Sequence, residues 1–521
     1  MSGTLDSRRH LGWTVSCVMA LFGSACRDRP HQPQVQARPA PTLPPATPQP
    51  PAASRPTARP GPPVKPLPGW LAPYQPVARR IVRHAQTHEH AWNRLLAICD
   101  DIGPRLVGSA ANRRAVDWAM RTLRAEGFAN VRAEKVLVPG WVRGRESLTL
   151  LAPRRAELPL LGIGLSVGTP PGGITAPVVV VSGKGELKRL GPGVRGKIVL
   201  FNHVMPPYDP KQGTGYGKAA YYRVHGASLA AKQGAVAALV RSVTAHSLRT
   251  PHTGMMEYDK GVPRIPVAAV TVEDAALMAR FQKRGIPVRV RLEMGARNLG
   301  NVPASNVLAE LTGTQKPDEY VLIGCHLDSW DTGTGAHDDG VGCAMAMAAL
   351  TTIRELKLRP RRTVRLVLWT AEELGLLGAK RYAKEHAAEL SRHVAGIEAD
   401  AGGFRFTRLG YELSKKGGSH PDAVRRLGQL LRLVAPLGKK PFLQKDWSGA
   451  DLVPLRERGI LLLGLITDVR HYFDVHHSPA DTVDKIDPRD LRDSTAAMAV
   501  LAYVLADLPF RFLPAAPRPS R

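Results

Sequence analysis

The chain reads as α/β: a mostly parallel sheet with helices on both faces, interrupted by an inserted β/α domain. Three observations predict this. From residue 306 onward, short β-branched apolar runs alternate with segments of helical apolar spacing, the rhythm of a sheet covered on both faces. Between residues 140 and 298 that rhythm gives way to short strands set off by Gly and Pro. Four clusters of acids and histidines each follow a predicted strand of the regular half, at the edge where open α/β sheets bind ligands.

At 521 residues, 44% hydrophobic and 22% charged, the chain is globular in class and long enough for two sizeable cores. Its formal charge of +28 invites a nucleic-acid reading. The basic residues are spread along the chain without aromatic interleaving or a long Lys run, so no nucleic-acid partner is expected.

Taken in order, Arg8 and Arg9 precede an apolar run at 11–25, too short for a membrane span. It ends Gly23-Ser24-Ala25-Cys26, so residues 1–26 resemble a bacterial lipoprotein signal, with lipid attachment at Cys26 and membrane association. The protein is therefore expected to be exported, as a periplasmic or outer-membrane lipoprotein or in secreted form. Residues 27–69 are a Pro-rich, extended linker with nothing to bury. The ordered part opens with helical spacing over 76–98, a helix from an N-cap at Ser109 to Gly127, and a strand at 131–138; together 70–139 form the first part of the main domain.

Within the insertion, 140–298, strands are predicted at 178–182, 197–202, 235–240, 265–270 and 288–294, with a helix at 225–233. His203, Tyr208, Asp209, Tyr216, Tyr221 and Tyr222 read as a surface loop, with a substrate cleft as the second reading. The main domain resumes over 299–512, followed by a tail at 513–521. Its strands fall at 306–311, 320–323, 364–369, 393–398 and 460–465, and its helices begin at 341, 377, 421 and 487.

The first cluster organises the rest. His326 and Asp328 share one face at a strand end, and Asp331, Asp338 and Asp339 follow in a Gly-rich loop with no Lys or Arg nearby in sequence. Uncompensated acids of this kind call for a cation. Next come Glu372 and Glu373, neighbours that point different ways, so that one can hold a metal while the other handles a proton. Glu398 and Asp400 form the third cluster; His471, Asp474, His476, His477 and Asp481 form the fourth. Histidines and carboxylates in these numbers suit two divalent ions sharing a bridging carboxylate. The set lacks Cys, which argues against a structural Cys-rich zinc site.

The motifs HLDSW (326–330), GAHDDG (335–340), AEELGLLG (371–378), EADAGG (398–403) and HHSPADT (476–482) resemble the M28 metallopeptidase family. The likeness is greatest to its carboxypeptidase Q branch and extends to GPRLVGS (103–109) and SGAD (448–451). On that resemblance, 140–298 corresponds to a protease-associated (PA-like) domain. His326 and Asp400 would hold one zinc, Glu373 and His477 the other, and Asp338 would bridge them, giving two Zn2+ per chain. His477 is chosen over His476 because it stands four residues before Asp481, the family's spacing. Glu372 would be the general base toward a water held at the metals. Asp328 would orient His326. The Asp338–Asp339 peptide bond would be cis, and a homodimer is implied.

The expected activity is therefore exopeptidase hydrolysis of small peptides, with carboxypeptidase Q-like dipeptidase action favoured and aminopeptidase action as the alternative. His337 departs from the family pattern and adds a further candidate imidazole. Cys99, Cys325 and Cys343 allow at most one disulfide; no spacing selects a pair, and buried thiols are the simpler expectation. A glutaminyl cyclase relative or a transferrin-receptor-like binding protein would share the fold, but both would have lost parts of this ligand set.

Overall fold

The computed structural model describes residues 66–514 except 414–419, 439–440 and 446. The expected signal peptide, nearly all of the linker, and most of the tail lie outside the described residues. Among those described, no helix is long and apolar enough to cross a membrane.

The fold is mixed α/β with two eight-stranded sheets. In the first, the strand order is Ala129–Val142, Arg297–Leu311, Arg362–Trp369, Lys316–His326, His393–Glu398, Leu461–Thr467, Phe406–Glu412 and Phe442–Lys445. The middle strands, from Arg362–Trp369 to Leu461–Thr467, run parallel. Antiparallel pairs flank them on both sides. The predicted parallel rhythm thus describes the centre of the sheet. The last two strands of the order, Phe406–Glu412 and the edge strand Phe442–Lys445, carried no clear alternating pattern and were not anticipated.

Burial explains why the centre forms. All residues of Arg362–Trp369 are buried, the near-continuous apolar run of a strand covered on both faces. Its inward Arg365 is tolerated because it donates to Glu310 at 2.7 Å and to the Tyr382 hydroxyl at 2.9 Å. Helix Val341–Glu355 is buried on almost every side, and its Ala344, Ala346, Ala348 and Ala349 let it seat between the sheet and the long helix Pro488–Asp507. Ser109 caps helix Ala110–Ala125 as expected, accepting from the Asn112 amide at 3.0 Å.

The helical spacing over 76–98 resolves into two helices, Gln75–Thr87 and His90–Leu96. The Thr87 hydroxyl donates back to the Arg83 carbonyl at 2.9 Å, and His88 leaves helical geometry (φ −117°, ψ 142°).

The second sheet is built entirely between the first two strands of the first, in the order Ala156–Leu158, Glu146–Ala152, Arg289–Met294, Ile174–Val181, Ile198–Phe201, Ala237–Arg241, Val267–Val270 and Leu160–Gly162. It has its own apolar clusters on its two sides. The chain leaves the first sheet at Val142 and re-enters at Arg297, and these residues are direct antiparallel partners. Its main helix is longer than anticipated, Tyr216–Ala231, because the first two turns alternate Tyr, Gly and Ala without an apolar stripe.

Candidate metal centre

The four clusters meet at the carboxyl ends of the parallel strands. Lys316–His326 ends on His326, Arg362–Trp369 leads into Glu372 and Glu373, and His393–Glu398 leads into Asp400. Asp338 opens the turn before helix Val341–Glu355, and His476 and His477 follow the short helix Tyr472–Val475.

Asp338 sits at the middle of the group. One of its oxygens lies 3.1 Å from His326 Nε2, and the other lies 3.1 Å from His477 Nε2. His326 Nε2 is also 3.8 Å from Asp400 Oδ1, and His477 Nε2 is 2.9 Å from Glu373 Oε2. His476, stacked on His477 at 3.6 Å, reaches only Asp338, at 3.4 Å. The Asp338–Asp339 bond is cis.

Backbone carbonyls orient both imidazoles. His326 Nδ1 donates to the Asp328 carbonyl at 3.0 Å, and His477 Nδ1 donates to the Thr253 carbonyl at 3.3 Å. Each ring therefore turns the lone pair of Nε2 toward the carboxylates, the tautomer a metal ligand needs. The Asp338 carboxylate and Glu373 Oε1 add buried oxygens with unfilled hydrogen-bond capacity. The residues present fit divalent cations.

Curated relatives match this chain over most of its length. It is 42% identical to mouse carboxypeptidase Q over 442 residues, covering 84% of this chain and 91% of the relative, and 40% identical to the human protein over 435 residues. The chain belongs to peptidase family M28. The family model matches residues 306–502, a stretch that contains His326, Asp338, Glu373, Asp400 and His477. A crystal structure of a peptidase M28 precursor from Shewanella amazonensis superposes with a TM-score of 0.79 at 37% identity, covering 86% of this chain and 99% of that one. A zinc aminopeptidase from Bacillus subtilis shares the fold, with a TM-score of 0.59 at 20% identity over 80% of this chain and 94% of that one. The protein is accordingly a metallopeptidase, a hydrolase.

Electrostatics in this M28 centre are those of crowded, buried acid. Burial, reinforced by Glu373, Asp400 and Asp338, holds the Glu372 carboxyl well above the usual carboxylate range. Burial likewise pushes Glu398 up to about 8, with Asp400 adding to it, and Asp481 up to about 7. Burial opposes charge on His326 and His477, yet their carboxylate partners raise both imidazoles well above their ordinary value. Such an excess of buried negative charge is what a divalent cation neutralises.

Some expectations need amending. The carbonyl of Asp328, rather than its carboxylate, takes the His326 Nδ1 proton; the carboxylate stands 3.9 Å from Nδ1 and accepts from the Glu372 amide at 3.3 Å. Asp331 is not uncompensated, because Arg143, remote in sequence, pairs with it at 2.5 Å. Asp339 turns away from the centre to accept from the His326 and Gly342 amides, and Asp481 accepts from those of His337 and Asp338. His337 is buried against Phe404 and accepts from the Gly403 amide at 3.0 Å. His471 is exposed and pairs with Asp474. Cys325 and Cys343 form a disulfide between strand and helix, and among the described residues Cys99 is the one cysteine left as a buried thiol.

Residues that sequence reasoning passed over complete the site of this peptidase. Arg105 is fully buried and donates to the carbonyls of Leu327, Thr334 and Gly335, which pins the loop carrying Asp338. From the second sheet's half, the Thr253 amide donates to the His477 carbonyl at 2.9 Å while the Thr253 carbonyl meets the His477 ring, and His252 donates to the His476 carbonyl at 2.7 Å. A cavity of about 760 Å³ lies over the centre, lined by Glu372, Glu373 and Asp400 together with Tyr208, Tyr216, Arg223, Arg408 and Trp447. Of the aromatic group anticipated as a loop, Tyr208 and Tyr216 line this cavity. No local pattern marks Arg223 or Thr253; only folding brings them here.

Proposed function

We propose that this peptidase is a co-catalytic di-zinc exopeptidase acting on small peptides, with dipeptide hydrolysis from the carboxyl side favoured. The carrying observation is the Asp338 carboxylate, with each oxygen 3.1 Å from a different imidazole. His326 and Asp400 would hold one ion, His477 and Glu373 the other, and Asp338 would join them. Bound there, the ions would polarise the scissile carbonyl and make water more acidic.

Glu372 is then the general base. Its amide is held by Asp328, and it lines the cavity beside Glu373. It takes the proton from the attacking water and returns it to the departing amine, so one carboxylate serves both halves of the hydrolysis. The cavity walls support the polarity. Arg456 is neutralised by Glu412, whereas Arg223 and Arg408 meet no carboxylate within ion-pair distance among the described residues. Arg223 donates to the Tyr216 hydroxyl at 2.9 Å and stands 3.3 Å from His477 Nδ1, placing an uncompensated cation beside the chemistry. A substrate's free carboxylate is the natural counter-ion. The relatives named carboxypeptidase Q agree with that direction.

Glu372→Gln is expected to lower kcat by about 10²–10⁴-fold while zinc content stays at the wild-type value. Unchanged turnover would remove Glu372 from the mechanism. A panel of dipeptides blocked at either end separates the polarities: loss on C-terminal amidation supports the reading here, and loss on N-acetylation alone supports aminopeptidase action. The Cys325–Cys343 disulfide supports export to an oxidising compartment.

A further inference from the structure

A second group of side chains of metal-ligating type lies away from the catalytic cavity. Helix Gln75–Thr87 carries His84 in its last turn, His88 follows immediately, and His90 starts the next helix. The break after Thr87 brings these rings together: His84 and His88 stack at 3.9 Å with planes 8° apart, and His90 lies 5.5 Å from His88 at 15°, so sharing one ion requires the solvent-facing His88 to turn out of the stack. Facing them is Glu355, the last residue of helix Val341–Glu355. One Glu355 oxygen is 3.1 Å from His84 Nε2 and 2.9 Å from His90 Nε2. Ligand atoms of His84, His88 and Glu355 all lie within 4.8 Å of one another.

We propose that His84, His88, His90 and Glu355 form a structural site for one zinc-like divalent ion, separate from the catalytic centre. Tetrahedral zinc with ligand bonds of about 2.0–2.1 Å sets neighbouring donor atoms about 3.3 Å apart, close to the spacings between Glu355 and the two histidines. His88 is also presented in the required form. His88 Nδ1 donates to the His84 carbonyl at 2.8 Å, which leaves Nε2 with a free lone pair. Imidazole and carboxylate in this ratio select zinc, copper or nickel over calcium and magnesium.

The placement gives the ion a task. Glu355 is at the far end of the helix whose first turn follows Asp338 and Asp339, about 22 Å along the axis for 15 residues. An ion there would tie helices Gln75–Thr87 and His90–Leu96 to the end of the element that seats the bridging carboxylate. None of its ligands lines the catalytic cavity.

The test compares untagged wild-type protein with His84→Asn/His88→Asn after equilibration in buffered micromolar free Zn2+, reading metal content, melting temperature and kcat/KM. The wild type is expected to hold one more zinc per chain than the variant, and to show a zinc-dependent rise in Tm that the variant lacks, with kcat/KM unchanged. Because the readout is a difference, it isolates this site whatever number of ions the catalytic centre holds. Equal zinc content in the two proteins, or an extra equivalent that appears only at millimolar metal, overturns the proposal. If the double variant misfolds, His88→Asn and Glu355→Gln, both at solvent-facing positions, decide on the same readout.

Discussion

At the residue scale, the same backbone device serves two different kinds of histidine. His326 and His477 each give Nδ1–H to a carbonyl and turn Nε2 toward carboxylates. His393 also gives Nδ1–H to a carbonyl, that of Glu389 at 3.0 Å, but its Nε2 accepts from the Tyr382 hydroxyl at 2.8 Å. All are buried, although His326 ends a strand, His477 follows a short helix and His393 begins a strand; what separates them is the partner across the ring. Burial, with Arg365 nearby, pushes the His393 imidazole down to about 3. Its unfolded-state value is about 6.5, so between those limits the unfolded chain binds the extra proton and stability falls as pH drops. His393 should thus cost the fold up to ~1.4 kcal/mol per pH unit below about 6.5. Denaturant melts of wild type and His393→Gln between pH 4 and 7 should show the wild type losing ground as pH falls; parallel curves would remove His393 from the acid response. The ligand candidates were legible because acids and histidines stand out at predicted strand ends. Atom-level roles were not: the sequence names Asp328, but only the fold shows its carbonyl, not its carboxylate, meeting His326.

At the scale of elements, helix Val341–Glu355 carries the tightest constraint. A Cβ on Gly342 would lie 2.0 Å from the Ala399 carbonyl oxygen and 2.4 Å from the Asp339 carboxylate. Replacing Gly by Ala inside a helix ordinarily stabilises by about 1 kcal/mol. Gly342→Ala should instead destabilise by about 1–3 kcal/mol through overpacking, and should weaken metal retention because Asp339 holds the His326 amide. Thermal melts together with metal analysis check this; a variant more stable than wild type would show that the helix has room to shift. Central strands and their helices were readable from apolar runs and caps. The break at His88 and the edge strand Phe442–Lys445 were not, because a hydroxyl–carbonyl bond and a half-exposed edge leave little trace in hydrophobic spacing.

For the whole molecule, the change of texture after residue 140 marked a separate sheet but said nothing of what it reaches. The structure shows it extending residues to the catalytic cavity, including Tyr216 and Arg223, while the candidate ligands all come from the first sheet and its loops. Val142 and Arg297 are strand partners, so a two-residue Asn-Gly turn could close the gap left by residues 143–296. Such a deletion is expected to lose at least about 10²-fold in kcat/KM on dipeptides, as substrate positioning is lost, and to weaken metal retention, because the Thr253 carbonyl that orients His477 goes with it; metal content and turnover measure the two effects separately. Full activity would mean the second sheet has no part in substrate binding. The contact between Thr253 and His477 is made through Thr253's main-chain N–H and C=O, groups every residue except proline supplies. A different insert could therefore be exchanged into this position and still steady the ligand histidine, provided its loop follows the same path. Recognition and hydrolysis can in that way diverge independently, with the substrate wall replaced as a cassette while the metal ligands stay unchanged.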